Sequence, residues 1–461
     1  MAKLSMQSTE KVLTSKLKLQ LDYEQLTNCM RCGFCLPVCP TFSETGIEAE
    51  SPRGRIALMK AVVDGIMAPD QTFEEQMNHC LGCRACEPAC PADVKYGYLL
   101  EQARDAIEDH TKRHPWSVKL VRWMAFKMIF PYQNRLRLLG RVLRLYQKSR
   151  LRKLLQGIGI MKLFPQHIRE MENILPEASS QGVVELIGTR HSGKGKKIAT
   201  VGLFRGCIMD VLFTDTNIHT VKLLTEAGFE VVIPEIQNCC GALHAHSGEI
   251  DEAKALARRN IHAFRKADVD YIVSNAGGCG ALLFEYDHLL CEDQQWGTDA
   301  VWFAKRVKDV SELIVQHGRM PRFSDVDYQT DQKAMTPISE ASIRITYQDS
   351  CHLRNVIRSS TAPRHLIRQV ANTEFVELKE AERCCGSAGI YNLTQPEMAG
   401  QILDHKMEHV RSTNAQYLLT SNPGCLLQMK HGIEKHGMTG QMKAIHIVDF
   451  LYERMFSDQM K

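Results

Sequence analysis

Eight cysteines between residues 29 and 90 are best placed to do chemistry, because one spacing is written twice. Cys29, Cys32, Cys35 and Cys39 precede Pro40 in CMRCGFCLPVCP. Cys80, Cys83, Cys86 and Cys90 precede Pro91 in CLGCRACEPACP, each 51 residues after its counterpart. Two-residue gaps let three thiolates converge on three corners of one iron–sulfur cubane, while the three-residue gap and the proline carry the fourth to a neighbouring cluster. The expected ligand sets are therefore crossed: Cys29, Cys32, Cys35 and Cys90 for one [4Fe–4S] cluster, and Cys80, Cys83, Cys86 and Cys39 for a second. A zinc ribbon uses two pairs rather than two interlocked quartets.

A second duplication begins near residue 197. Cys207, the vicinal Cys239 and Cys240 followed by Gly241, and Cys279 recur as Cys351, Cys384 and Cys385 followed by Gly386, and Cys425, at offsets of 144, 145 and 146 residues. Four thiols per copy could hold a further iron–sulfur cluster, a zinc ion or a redox-active dithiol, and adjacent cysteines are poorly explained as packing alone. Cys291 has no counterpart and reads as a packing residue. His244 and His246, also without a matching pair, read as a turn or cap rather than as ligands.

These residues need elements to position them. Ser51 and Pro52 start a helix in ESPRGRIALMKAVVDGIMAP, with Ile56, Met59, Val62 and Val63 as its apolar stripe. A lead-in helix before Cys29 and a closing helix over YGYLLEQARDAIEDH complete the cluster domain. In each later copy, buried strands (KIATVGLFRG, FEVVIPE and YIVSN; RITYQDS, TEFVELK and QYLLTSN) alternate with amphipathic helices, the pattern of α/β units with parallel strands. Every cysteine of these copies then falls beyond the carboxyl end of a strand, where open α/β sheets place ligands. Gly277, Gly278, Gly280 and Gly424 would let the backbone approach something bulky.

Length and composition fit a soluble or peripheral multidomain protein: 461 residues, 44% hydrophobic, 24% charged, and no apolar run long enough to span a membrane. The N-terminus lacks the apolar core of a secretory signal, and seventeen cysteines then indicate metal or redox thiols in a reducing compartment, the cytoplasm. Charge is uneven. Residues 110–169 hold fifteen Lys or Arg and no acid, so against a total of +4 the remainder is −11. Arg137, Arg141, Arg144 and Lys148 share one helical face there and Leu136, Leu139, Leu143 and Tyr146 the other, which suits an anionic membrane surface or a partner, with a solvated face on an ordinary packed helix as the alternative and nucleic acid the weaker third. Gly188, Gly193 and Lys194 imitate a phosphate loop, but Gly195 stands where Ser or Thr is needed.

Two ferredoxin-type runs followed by two Cys…CCG…Cys modules resemble the cysteine-rich electron-transfer subunits shared by glycolate oxidase, anaerobic glycerol-3-phosphate dehydrogenase and heterodisulfide reductase. CMRCGFCLPVCPTF, SPRGRIALMKAV and CLGCRACEPACPADVKYG are most similar to the iron–sulfur subunit of bacterial glycolate oxidase. The fold class this implies is α+β multidomain: a helical double-cluster ferredoxin-type domain (1–110), a basic helical connector and linker (111–196), and two α/β cysteine-rich CCG modules (197–335 and 336–461). The resemblance implies that FAD-binding partner subunits oxidise the substrate and this chain passes electrons to a respiratory or quinone acceptor. Contact with an anionic membrane, on the inner face, would run through residues 112–153. A subunit serving lactate or glycerol-3-phosphate, or a heterodisulfide-type thiol enzyme, is the alternative. The last is weakened because Leu282 and Gln428 stand where that family places a further cysteine.

Overall fold

The structure, a computed structural model, describes residues 2–110, 114–149, 165–323 and 342–455. Lys112, Arg113, Lys153 and Lys162 of the basic stretch lie outside the described residues, as does the expected boundary at 335/336.

Short apolar and β-branched runs build two sheets. The first contains β1 (Arg190–His191), β2 (Thr200–Phe204), β3 (Glu230–Val232), β4 (Tyr271–Ser274) and β5 (Val307–Asp309), in the order β1-β3-β2-β4-β5. The second contains β6 (Ile343–Tyr347), β7 (Thr373–Phe375), β8 (Tyr417–Thr420) and β9 (Lys443–His446), in the order β7-β6-β8-β9. All pairings are parallel except β1 with β3. The duplication extends to register: Val201 opposes Val231 and Tyr271, and Ile345 opposes Phe375 and Tyr417. Strands β2 and β8 are buried along their whole length, as expected of a sheet covered on both faces. Three short strands were not expected from sequence: β5 and β9, which edge the two sheets, and β1, which comes from the stretch read as connector.

The two modules share a core. Leu203, Leu224, Phe229 and Val273 of the first pack in one cluster with Tyr347, Leu366, Leu419 and Phe450 of the second. Polar contacts seal the join: Asp449 accepts from Thr216 Oγ1 and faces His219 Nδ1, both at 2.8 Å. The expectation for Gly277 is corrected here, because what approaches its backbone is the other module. A Cβ on Gly277 would lie 2.3 Å from Ser350 Oγ and 3.1 Å from Leu353 Cβ, and its N–H donates to Ser421 O at 3.0 Å.

The ferredoxin-type domain is helical. Ser51 caps Pro52–Val63 by accepting from Gly54 N, and Ile56, Met59 and Val62 are buried against Tyr96–His110 and the N-terminal helix Ala2–Gln20. It touches both modules. Arg84 Nη1 meets Glu285 at 2.5 Å, Tyr98 stacks on His288, and Asn355 Nδ2 donates to Cys83 O at 2.9 Å. His244 and His246 are not turn residues. His244 is fully buried against Phe126 O at 2.9 Å, and His246 Nδ1 meets Glu101 at 2.9 Å and stacks on His352.

In the connector helix Gln133–Lys148 the expected apolar side turns inward only in part, with Leu136 buried and Leu143 and Tyr146 half-buried, and the cations, although Arg141 and Lys148 stay exposed, are engaged within the chain. Arg137 reaches Glu185 and Asp210, Arg141 donates to Ser180 O, and Arg144 and Lys148 meet Glu177. The solvent also meets Leu138, Leu139, Val142 and Leu145. No helix among the described residues is long and apolar enough to cross a membrane.

Because overpacking at a close backbone approach costs about 1–3 kcal/mol, Gly277→Ala should lower the urea midpoint. Adding Ser350→Gly should restore most of the loss. Additive losses in the double variant would contradict the assigned contact.

Candidate metal centres

The two cysteine runs make matching loops. Arg31 and Gly33 in the first, and Gly82 and Arg84 in the second, all take the left-handed backbone conformation, with φ of 55°, 92°, 64° and 59°. Glycine and arginine exchange places between copies, yet both loops keep two left-handed residues at matching positions. Cys29, Cys32, Cys35 and Cys90 line one cavity, with Cys86 on its inner wall; Cys39, Cys80, Cys83 and Cys86 line the next. These are the crossed groups expected from spacing, with Cys86 between them.

The cavities differ in access. Cys32 is exposed and Cys29, Cys35 and Cys90 partly so, beside the exposed Met30 and Phe34; Cys39, Cys80, Cys83 and Cys86 are buried. Burial pushes the Cys83 and Cys86 thiols well above their ordinary value, and Cys39 upward as well. Such thiols stay protonated in a dry site unless a cation displaces the proton. The surroundings fit that exchange. Tyr96 OH donates to Cys80 Sγ at 3.5 Å and Gly82 N–H at 3.4 Å, and N–H or O–H donors to sulfur are a known means of setting cluster potential.

Arg55 is the charge that sequence reading passed over. It lies wholly buried, donating to Gln76 O at 2.8 Å and meeting Glu50 at 2.7 Å, while Glu50 faces His79 Nδ1 at 2.8 Å. Burial opposes its charge, yet Cys80, Tyr96, Cys39 and Glu50 together hold its pKa above the ordinary value. A fixed cation beside Cys39 and Cys80 suits a buried group with net negative charge. Its one sequence signal is its position, one and two turns before Met59 and Val62 on the buried face.

Each module gathers its four thiols at the carboxyl edge of its sheet. Cys207 follows β2, Cys239 and Cys240 follow β3, and Cys279 lies in the first turn of the helix after β4; Cys351, Cys384, Cys385 and Cys425 repeat this after β6, β7 and β8. Gly241 and Gly386 close the vicinal pairs with φ of 90° and 88°, against Ala253 of the helix Ile250–Ala267 and Ala399 of the helix Pro396–Ser412. The thiols act on one another in series. Cys239 and then burial push Cys207 well up, and Cys384 and then burial do the same to Cys351. Among the described residues no three of these sulfurs lie within 4.8 Å of one another. Cys291 is exposed, which corrects its reading as a packing residue.

The second module is the one that meets the buried cavity. Cys83 packs in one apolar cluster with Leu81, Cys351, Cys384 and Tyr391, and Cys351 raises its pKa further. Spacing along the chain carries no signal for this contact.

Comparison with known proteins follows this layout. Residues 25–94 match the family described as a 4Fe-4S dicluster domain, residues 201–284 and 345–430 the cysteine-rich domain, and residues 117–175 the glycolate oxidase iron-sulfur subunit linker region. A "Probable glycolate oxidase iron-sulfur subunit" of Bacillus subtilis is 47% identical over 96% of this chain and 97% of its own length. The chain belongs to the glycolate oxidase iron–sulfur subunit family. The "Glycolate oxidase iron-sulfur subunit" of Escherichia coli K12 is 28% identical over 97% of this chain and 99% of its own length. "Lactate utilization protein A" of Oceanobacillus iheyensis is 33% identical over 54% of this chain. The family fold is the one described above, a dicluster domain followed by two cysteine-rich modules.

Removing one partner of a buried ion pair costs roughly 3–5 kcal/mol. Arg55→Met should therefore lower the melting temperature and reduce iron retained after anaerobic purification. Unchanged iron and melting would show that Arg55 does not support the buried cavity.

Proposed function

We propose that this chain is the electron-transfer subunit of a multi-subunit glycolate oxidase. In this reading FAD on partner subunits oxidises glycolate to glyoxylate, releasing two electrons and two protons, and the electrons leave through this chain to a respiratory or quinone acceptor. The observation that carries the reading is the order of thiol sites: one at the surface, one sealed behind it, and Cys351 and Cys384 against the second. Near end-to-end similarity to a protein named for this role supports the assignment.

When bound, [4Fe–4S] clusters supply one-electron stations for a flavin that must discharge two electrons singly. The chain's own residues hold and tune them. We assign Cys29, Cys32, Cys35 and Cys90 to the outer cluster, whose exposed rim of Met30 and Phe34 suits contact with a partner. Cys39, Cys80, Cys83 and Cys86 are assigned to the inner one, where Leu81 and Tyr391 exclude water and Arg55 offsets negative charge. The module thiols are assigned to further clusters, on the convergence of four cysteines at the sheet edge of each module.

The outward apolar face of the connector helix, with Leu138, Val142 and Leu145 exposed, is read as the contact with the membrane or the acceptor, and Trp116 and Val121 are exposed in the preceding helix. Several of the nearby cations are engaged within the chain, so this contact depends more on apolar burial than on anionic lipid. Lactate is the second reading for substrate, favoured by the lactate-utilization relatives, whose match covers about half of this chain.

Cys83→Ser in the assembled complex should leave flavin reduction by glycolate within about twofold of wild type while cutting turnover with the external acceptor at least a hundredfold. Undiminished turnover with acceptor would refute the assignment.

A further inference from the structure

A group of ligating side chains stands apart from every thiol site. His405 and His409 lie one turn apart on the helix Pro396–Ser412, so both imidazoles project from the same face. Glu380 comes from the loop that leads into Cys384 and Cys385. Its Oε2 is 3.4 Å from His405 Nε2, its Oε1 is 3.6 Å from His409 Nε2, and the three ligating atoms all lie within 4.8 Å of one another.

These separations are long for hydrogen bonds. They are close to the spacing of donors around one small cation, because bonds of about 2.0–2.1 Å in tetrahedral geometry put neighbouring ligand atoms roughly 3.3 Å apart. His409 Nε2 is shut off from solvent and has no hydrogen-bond partner. The two rings are nearly perpendicular, at 80°, so their edges converge without stacking.

The carboxylate is pre-positioned. Glu380 has a φ of 52°, and its carbonyl accepts from the ammonium of the wholly buried Lys406, which lies between the two histidines in the helix. Arg383 is divided between two carboxylates: Nη1 is 3.4 Å from Glu380 Oε2, while Nη2 makes the closer contact, 2.6 Å, to Glu44. Glu44 also faces His405 Nδ1 at 3.8 Å, on the side away from the converging atoms. A carboxylate behind a metal-bound imidazole is the usual means of fixing its orientation and basicity.

We propose that Glu380, His405 and His409 bind one divalent cation of the zinc class, leaving coordination positions open to water. Two imidazoles and a carboxylate select zinc or a neighbouring transition metal over magnesium or calcium. The site belongs to the second module alone. By the offsets of 145 and 146 residues that flank this helix, the first module places Asn260 and Phe264, or Arg259 and Ala263, where the histidines stand. The cation would fasten the loop entering the Cys384–Cys385 pair to the helix behind it. Through Glu44, five residues after Cys39, it would also brace the ferredoxin-type domain against this module.

The test uses the full chain, purified without oxygen and with its iron intact, then equilibrated with buffered micromolar zinc. Zinc per chain is counted by mass spectrometry, and its ligands are read by X-ray absorption at the zinc edge. The expected result is one zinc bound through nitrogen and oxygen at about 2.0–2.1 Å. It should be lost in H405A/H409A and held at least tenfold more weakly in E380Q, a change small enough to preserve the fold. No retained zinc in wild type, zinc held only by sulfur at about 2.3 Å, or equal retention in E380Q would overturn the site.

Discussion

A thiol sealed in a dry interior keeps its proton unless something positive replaces it, and the rest of the architecture depends on that constraint. Cys39, Cys80, Cys83 and Cys86 are buried together, and packing alone would be a weak reason to gather four cysteines around one cavity. The buried Arg55, held by Glu50 and Gln76 O, places a permanent positive charge at that cavity. Arrangements of this kind are costly in an apolar core and make sense where a negatively charged group is to be held. Arg84, paired with both Glu87 and Glu285, carries the same device out to the boundary with the first module.

Duplication explains the rest of the layout. Two copies of a parallel sheet in the same register bring each set of four cysteines to a carboxyl edge, and the glycine closing each vicinal pair takes the backbone where other residues rarely go. The copies have since diverged in their surroundings. Gly277 lets the first module approach Ser350 of the second. Asn355 of the second donates to Cys83 O of the ferredoxin-type domain. The second module alone carries Lys406 behind its cysteine pair and the histidines beside it, so the two thiol sites sit in different fields despite one fold.

Much of this was legible in the sequence because spacing encodes it. Paired loops with a fixed interval leave cysteines few ways to converge, and the grouping of Cys29 with Cys90 and of Cys39 with Cys80 follows from three residues and a proline. The strands that lead into cysteines were legible for the same local reason, whereas β5 and β9, at the sheet edges, lead into none and are three and four residues long. What sequence could not supply was pairing at a distance. Arg137, Arg141 and Arg144 looked like a free basic face because their partners, Glu185, Ser180 and Glu177, lie some forty residues on, across a linker. His244 and His246 looked like a turn because Phe126 O and Glu101 belong to earlier segments.

The central claim is that the two crossed sets of four cysteines hold a pair of adjacent clusters. It is tested most directly by iron and sulfide analysis of the oxygen-protected chain, together with electron paramagnetic resonance after reduction with dithionite. The account predicts at least about eight irons per chain and two [4Fe–4S] signals broadened by mutual coupling. A colourless preparation free of iron, or no more than about four irons with a single uncoupled signal, would contradict it.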